Sequence, residues 1–297
     1  MPQFSDTERQ IISLFRPGTK FTFEGKECTV IECKKPRPSS GECKTDVYLR
    51  VNKSDGEREI KISIKQANAE FLENKMKYER AKEIFGDSTD EILTKSIASI
   101  KPQFESQYLV LFQDYKRTEA KTIKLGWKFE LVNKPGGDLS GELQLTHEQL
   151  MDVYSGTNLP DSKRNASVGG RIVANSGVAN YVLFVDKDSD YTLDECIRGL
   201  ETVSDYVSTH NKIYFACKAL NYRSSKSKWD GDRPLSVFVD WSLENGKLKG
   251  VLNLNEPLKH KGNEIGNRIT SLLQQLGISS ANFSSLKSKL ASGVNYL

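Results

Sequence analysis

Residues 41–66 read GECKTDVYLRVNKSDGEREIKISIKQ, and a strict two-residue alternation runs through most of the stretch. Val47, Leu49 and Val51 share one parity, as do Ile60, Ile62 and Ile64 further on. Asp46, Tyr48 and Arg50 take the opposite parity of the first run, and Glu59, Lys61, Ser63 and Lys65 that of the second. A side-chain period of two belongs to β-strands. Asp55-Gly56 lies in the connection, as tight-turn chemistry prefers. The segment is therefore a predicted hairpin with one aliphatic and one polar face. Antiparallel pairing sets the start of the first strand beside the end of the second. That places Asp46 and Lys65 together on one face, next to loop ends.

The surroundings supply elements to cover the aliphatic face. Ile11, Ile12, Leu14 and Phe15 predict a short helix that Pro17-Gly18 ends. KFTFEGKECTVIEC reads as strand with a turn at Glu24-Gly25. After the hairpin, the spacing predicts a helix from about Gln66 that Gly86 terminates, then a second helix opened by the capping pattern Ser88-Thr-Asp-Glu91. YLVLF at 108–112 is the next predicted strand. Further on, TIKLGWKFELV, YVLFVD (181–186) and IYFACKAL (213–220) read as strands, and Thr146-His-Glu-Gln149 opens a helix. One helix is predicted from Thr192 through Val207. Glu244-Asn245-Gly246 joins two strands, and Ile265, Ile269, Leu272, Leu273 and Leu276 mark a last amphipathic helix.

Alternation of strands and helices predicts a mixed α/β (α+β) architecture. With 297 residues, the chain suffices for one large domain or two ordinary ones. Hydrophobic residues at 37% allow a substantial core, and no apolar run approaches the roughly 18 residues a membrane span needs. The polar start MPQFSDTERQ lacks the basic-then-apolar succession of a signal peptide, so a cytoplasmic protein is expected. Five scattered cysteines without a CxxC pair, and only three histidines, fit reduced thiols and argue against a zinc cluster. A net charge of +4 permits a nucleic-acid partner without requiring one.

An aspartate and a lysine held together have a definite chemical use. The carboxylate can hold Mg²⁺ through oxygen, and the lysine can orient water or neutralise charge on a phosphate. Thr45-Asp46, sixteen intervening residues and Ser63-Ile64-Lys65 resemble the PD-(D/E)xK nuclease superfamily. GECKTDVYL followed by KISIKQ is similar, more narrowly, to type II restriction endonucleases with a Thr-Asp and a Ser-x-Lys. The likeness spans roughly residues 5–115, where the predicted order of helix, three strands, helix and strand also matches. It implies a restriction-endonuclease-like core, a mixed sheet flanked by helices, over 1–115. Residues 116–297 would supply DNA recognition and dimerisation, either as a separate domain or integrated with the core.

The resemblance implies a Mg²⁺-dependent hydrolase that cuts double-stranded DNA at specific sites, acts as a homodimer and has no membrane partner. Asp46, Ser63 and Lys65 would be catalytic, with Asp46 on the metal. Ser63 stands where the motif carries an acid, so another carboxylate must complete the site. Glu42, Glu59 and Glu73 are candidates, and Glu8 could reach in from the first helix; Glu59-Ile-Lys61 also offers an alternative frame. Lys34, Lys35 and Arg37 precede the hairpin and Gln66 follows it; all four are candidate DNA contacts. Lys163 and Arg164, and the segment carrying Arg223, Lys226, Lys228 and Arg233, are further basic candidates. Two other functions stay open from the residues alone: a structure-specific repair or phage nuclease, and a non-catalytic nucleic-acid-binding protein.

Overall fold

The computed structural model describes residues 4–66, 71–74, 76–186 and 189–297. In chain order, helix α1 (Phe4–Leu14) precedes strands β1 (Lys20–Phe23), β2 (Lys26–Lys34), β3 (Val47–Lys53) and β4 (Gly56–Gln66). Then come β5 (Phe71–Glu73), α2 (Tyr78–Phe85), α3 (Thr89–Ser99), α4 (Lys101–Glu105), β6 (Val110–Leu111), β7 (Thr122–Val132) and β8 (Ser140–Glu142). The next stretch holds α5 (His147–Ser155), α6 (Asp161–Arg164), β9 (Ser167–Val168), β10 (Arg171–Ile172), β11 (Tyr181–Val185), α7 (Leu193–Arg198), β12 (Leu200–Thr202) and α8 (Val203–Thr209). The last holds β13 (Tyr214–Arg223), β14 (Lys228–Trp229), β15 (Pro234–Leu235), β16 (Val237–Glu244), β17 (Lys247–Asn253), β18 (His260–Lys261) and α9 (Gly262–Gln275). The chain divides into two compact units, residues 1–69, 82–86 and 145–211 forming one, and 70–81, 87–144 and 212–297 the other. Neither unit is a continuous segment.

The first unit is built on a sheet of order β1-β2-β3-β4-β11-β12. All neighbours are antiparallel except β4 and β11, which run parallel. The hairpin closes as its alternation requires, with Val47 opposite Ile62, Leu49 opposite Ile60 and Lys53 opposite Gly56. Its aliphatic face joins Ile11 of α1, Phe15 just after that helix, Leu183 and Val185 of β11 and Cys196 of α7 in one core. Each such side chain contributes roughly 1.5–3 kcal/mol by leaving water. The opposite face is also largely covered. Tyr48 is fully buried and donates its hydroxyl to Glu59 Oε1 at 2.5 Å. Lys61 Nζ donates to the Asn175 carbonyl at 3.0 Å, and Asn180 bridges the Lys61 N–H and the Glu59 carbonyl.

Thr146 and Gln149 form the expected reciprocal cap of α5, which ends at Gly156 with φ 80°. The single helix expected from Thr192 to Val207 is instead two. Gly199 ends α7, β12 joins the sheet edge beside β11, and Thr202 caps α8 by accepting from the Asp205 N–H. A second cap signal inside one apolar period split the helix.

The second unit centres on β7, buried along nearly its whole length, in a sheet of path β14-β13-β7-β16-β17. Gly126 (φ +156°) allows β16 to cross closely: a Cβ there would stand 2.3 Å from the Val237 carbonyl oxygen. Asn245 and Gly246, both at positive φ, form the expected turn between β16 and β17. Ile265, Ile269 and Leu273 bury the face of α9 as their spacing predicts.

Two expectations change here. The helix expected from Gln66 begins only at Tyr78; residues 67–70 and 75 lie outside the described residues, and Phe71–Glu73 is strand paired to β7. Pairing with a buried strand outweighed local helix propensity. The strand at 108–112 contracts to Val110–Leu111 and also pairs with β7, so β11, not this segment, lies beside β4 in the first unit. At Ser88 the side chain makes no cap bond, because a turn of 3₁₀ helix precedes α3 and holds Ser88 out of the extended conformation.

Lys124 of β7 is 7% exposed, and burial pulls its ammonium down from 10.5 to about 8 against the field of Asp230. The fold thus favours the neutral amine, a cost in full force below about pH 8 that fades as pH rises toward 10.5. Lys124→Met is expected to stabilise the protein by about 1–3 kcal/mol at pH 7. The gain should shrink at pH 10, as read from urea midpoints; a destabilised variant at pH 7 would contradict this.

Candidate active site

Asp46 immediately precedes β3, and β4 holds it twice. Its N–H donates to the Ile62 carbonyl at 2.8 Å, and its Oδ2 accepts the Ile64 N–H at 2.8 Å. The loop before it is anchored by the N–H groups of Lys44 and Thr45, both donating to the Gly177 carbonyl. Lys65, two residues beyond Ser63, acts on Asp46 electrostatically. The expected meeting of strand start and strand end is thus realised at Asp46 and Lys65.

A second carboxylate arrives from α1. Ile11 and Phe15 fix that helix against the sheet, and Glu8 lies three and seven residues before them, on the same face. Glu8 is 6% exposed, and its Oε2 pairs with Lys35 Nζ, just beyond β2. Its charge also reaches Asp46. Burial, helped by Glu8, pushes the Asp46 carboxyl up to about 6, although Lys65, the Ile64 N–H and Lys35 act the other way. For Lys35, burial lowers proton affinity, but Glu8, Asp46 and Glu42 outweigh it and raise the ammonium above its ordinary value. Two acids and two ammonium groups therefore share one strand end.

The other acids are placed differently. Glu42 is exposed and within the field of Lys35. Glu59 is held by the Tyr48 hydroxyl and lies 3.9 Å from Lys61, whose ammonium burial pulls down. The register sets Asp46 across from Ser63, four residues or about 13 Å along the strand from Glu59, so the Glu59-Ile-Lys61 frame does not meet Asp46. Glu73 belongs to the second unit, in β5, and pairs with Arg80 at 2.9 Å. Ser63 is buried, and its Oγ, like Thr45 Oγ1, has no hydrogen-bond partner.

Of the basic candidates in the first unit, Lys34 ends β2 and Arg37 lies on the loop that carries Lys35; both are exposed. The Arg37 backbone exchanges two hydrogen bonds with Ser167. Gln66 ends β4 opposite Val185. Lys163 is committed to Glu83 at 2.6 Å, and Arg164 donates to Asn175 Oδ1. In the second unit Arg223 is clamped by Asp230 and Glu119, and Lys226 also pairs with Glu119. Lys228 is exposed, and the Arg233 carbonyl accepts from the Gly262 N–H.

Comparison with family models, curated proteins and solved structures finds no match to the chain. Among the described residues no group of three or more His, Cys, Asp or Glu side chains is arranged to hold a metal ion. The two carboxylates fit a hard cation that keeps much of its water and binds through one or two carboxylates, as Mg²⁺ does. The unpartnered hydroxyls of Thr45 and Ser63 flank Asp46 in sequence and across the hairpin, adding oxygen to the same locality.

The raised Asp46 carboxyl is a stability statement. The folded state holds its proton more tightly than the ordinary 3.8. The cost is absent below about pH 4, grows between 4 and 6 and is complete above 6. Asp46→Asn keeps the acceptor for the Ile64 N–H and removes the charge. In EDTA it is expected to stabilise the protein at pH 7.5 by on the order of 1–2 kcal/mol, after discount for partial solvation, and not at all at pH 4. Denaturant midpoints at the two pH values check this; equal effects at both would contradict it.

Proposed function

We propose that the protein is a Mg²⁺-dependent endonuclease of restriction type, which hydrolyses phosphodiester bonds at specific sites in double-stranded DNA. The observation that carries this reading is the convergence of Asp46, Glu8, Lys65 and Lys35 at one end of the β3–β4 pair. The order of the first unit supports it. With residues 70–144 set aside, of which 82–86 belong to this unit, α1, four antiparallel strands, α5 and, after the short α6, β9 and β10, the parallel strand β11 follow in an order similar to the helix, strands, helix, strand succession of the family that the Thr-Asp and Ser-x-Lys resemble.

Asp46 and Glu8 would hold the Mg²⁺. Bound there, the ion supplies positive charge to the phosphate and lowers the pKa of water. Lys65 hydrogen-bonds the incoming water and the attacked phosphoryl oxygen, where negative charge accumulates. Lys35 neutralises Glu8 in the protein alone and becomes available to the DNA backbone when that acid takes another partner. Lys34 and Arg37 extend the cationic loop along the same strand of substrate. Cutting both strands of a symmetric site is most simply done by a symmetric pair, so the active form is a homodimer. With its thiols free, the enzyme acts in a reducing cytoplasm.

Plasmid digestion with Mg²⁺ tests the assignment. Asp46→Ala and Lys65→Ala are each expected to lower cleavage at least about a thousandfold, on the scale of lost electrostatic stabilisation. Binding of the same DNA in EDTA should stay within a few-fold. Glu8→Gln is expected to lose about a hundredfold, and Glu59→Gln little. Full activity in Asp46→Ala or Lys65→Ala would overturn the site.

A further inference from the structure

The catalytic face carries an aromatic stack that the proposed chemistry leaves unused. Phe184 of β11 is the pairing partner of Lys65 across the parallel β4–β11 ladder. Paired residues on neighbouring strands share a face and lie about 4.8 Å apart. The Phe184 ring therefore stands beside the lysine assigned to the scissile phosphate. It stacks on Tyr206 of α8 with centroids 4.9 Å apart and planes 30° apart, and Tyr206 stacks on His210 at 4.2 Å and 9°. Tyr206 is thus stacked on by both rings. Tyr154 of α5 closes the edge of Tyr206 at 5.1 Å and 74°. Tyr206 is only 9% exposed, whereas Phe184 is 37% exposed where its strand neighbours Val182, Leu183 and Val185 are buried.

A large apolar ring kept at the surface, rigidly backed and adjoining Lys65, has the character of a stacking platform. Proteins that hold unpaired nucleotides combine cationic groups on the phosphates with aromatic rings under the bases. Here Lys65 and Lys35 supply the first and Phe184 the second. A base inside a duplex has both faces covered by its neighbours, so only an unpaired or extruded base can lie on this ring.

We propose that Phe184, backed by Tyr206 and His210, receives by stacking an unpaired nucleobase adjacent to the phosphate held at Asp46 and Lys65. The inference rests on the nuclease reading and narrows its substrate: the DNA engaged at the site has a base out of the helix next to the cut. Phe184 is then a positioning residue, since it holds the nucleotide and touches none of the reacting atoms.

The test uses the full-length protein and two fluorescein-labelled duplexes of one sequence, fully paired or with a single unpaired adenine. Anisotropy titrations in EDTA read affinity; digestion with Mg²⁺ reads cleavage. Wild type is expected to bind the duplex with the unpaired base about tenfold tighter, in the range a single base–aromatic stack supplies. Phe184→Leu keeps an apolar side chain at the site and should lose that preference. Phe184→Trp should keep it. Absence of a preference in wild type, or its survival in a folded Phe184→Leu, overturns the platform. Cleavage without any preference would overturn the platform and leave the nuclease reading standing. A Phe184-dependent preference without cleavage would do the reverse.

Discussion

The first unit depends on the register between β3 and β4. Val47 opposite Ile62 is the pairing that sends three aliphatic residues of each strand into one core and leaves Asp46 at the corner. A slip of one residue would turn every one of those side chains over. The same register brings Asp46 Oδ2 to the Ile64 N–H, tying the carboxylate to the ladder rather than to a mobile loop. Core and site are thus two faces of one alignment: the apolar face fixes the position of the polar corner. α1 is docked on that apolar face by Ile11 and Phe15, which is why Glu8 can be delivered to the corner from residues far away in sequence.

Electrostatics at the corner run against stability. Burial and the nearby Glu8 charge destabilise ionised Asp46, and Lys65, the Ile64 N–H and Lys35 offset only part of that. Such arrangements are retained where their charge is used. The Lys163–Glu83 pair differs: a partly buried cation meets a partly buried acid at 2.6 Å, and Lys163 reads as a structural tie. The same distinction applies in the second unit, where Arg223 satisfies both Asp230 and Glu119. A basic run in sequence carries no information about whether its charges face solvent or internal acids, and here much of it faces acids.

The hairpin, its apolar face and the meeting of Asp46 with Lys65 were legible because strand parity is local information. So were the Thr146 cap and the Asn245-Gly246 turn, each written in a few adjacent residues. What was not legible is non-local. Nothing in YVLFVD says that its partner is ISIKQ, more than a hundred residues earlier, or that Phe184 would stand beside Lys65. Glu73 looked like an acid on a helix following the hairpin, but β7 recruited its segment as a strand. Glu8 was one of several acids of suitable type, and only the packing of α1 distinguishes it from Glu42 and Glu59. Ser63 in place of an acid is the point where the sequence departs from the motif, and in the structure that serine is buried while Glu8 occupies the corner.

The central claim is that this corner hydrolyses DNA at defined sites. Digestion of a long, sequenced DNA with purified protein and Mg²⁺, followed by sequencing of the fragment ends, tests it most directly. The expected result is a discrete fragment set whose ends share one short sequence, absent in EDTA and absent for Asp46→Ala. Intact DNA, or the same ends produced by Asp46→Ala, would contradict it.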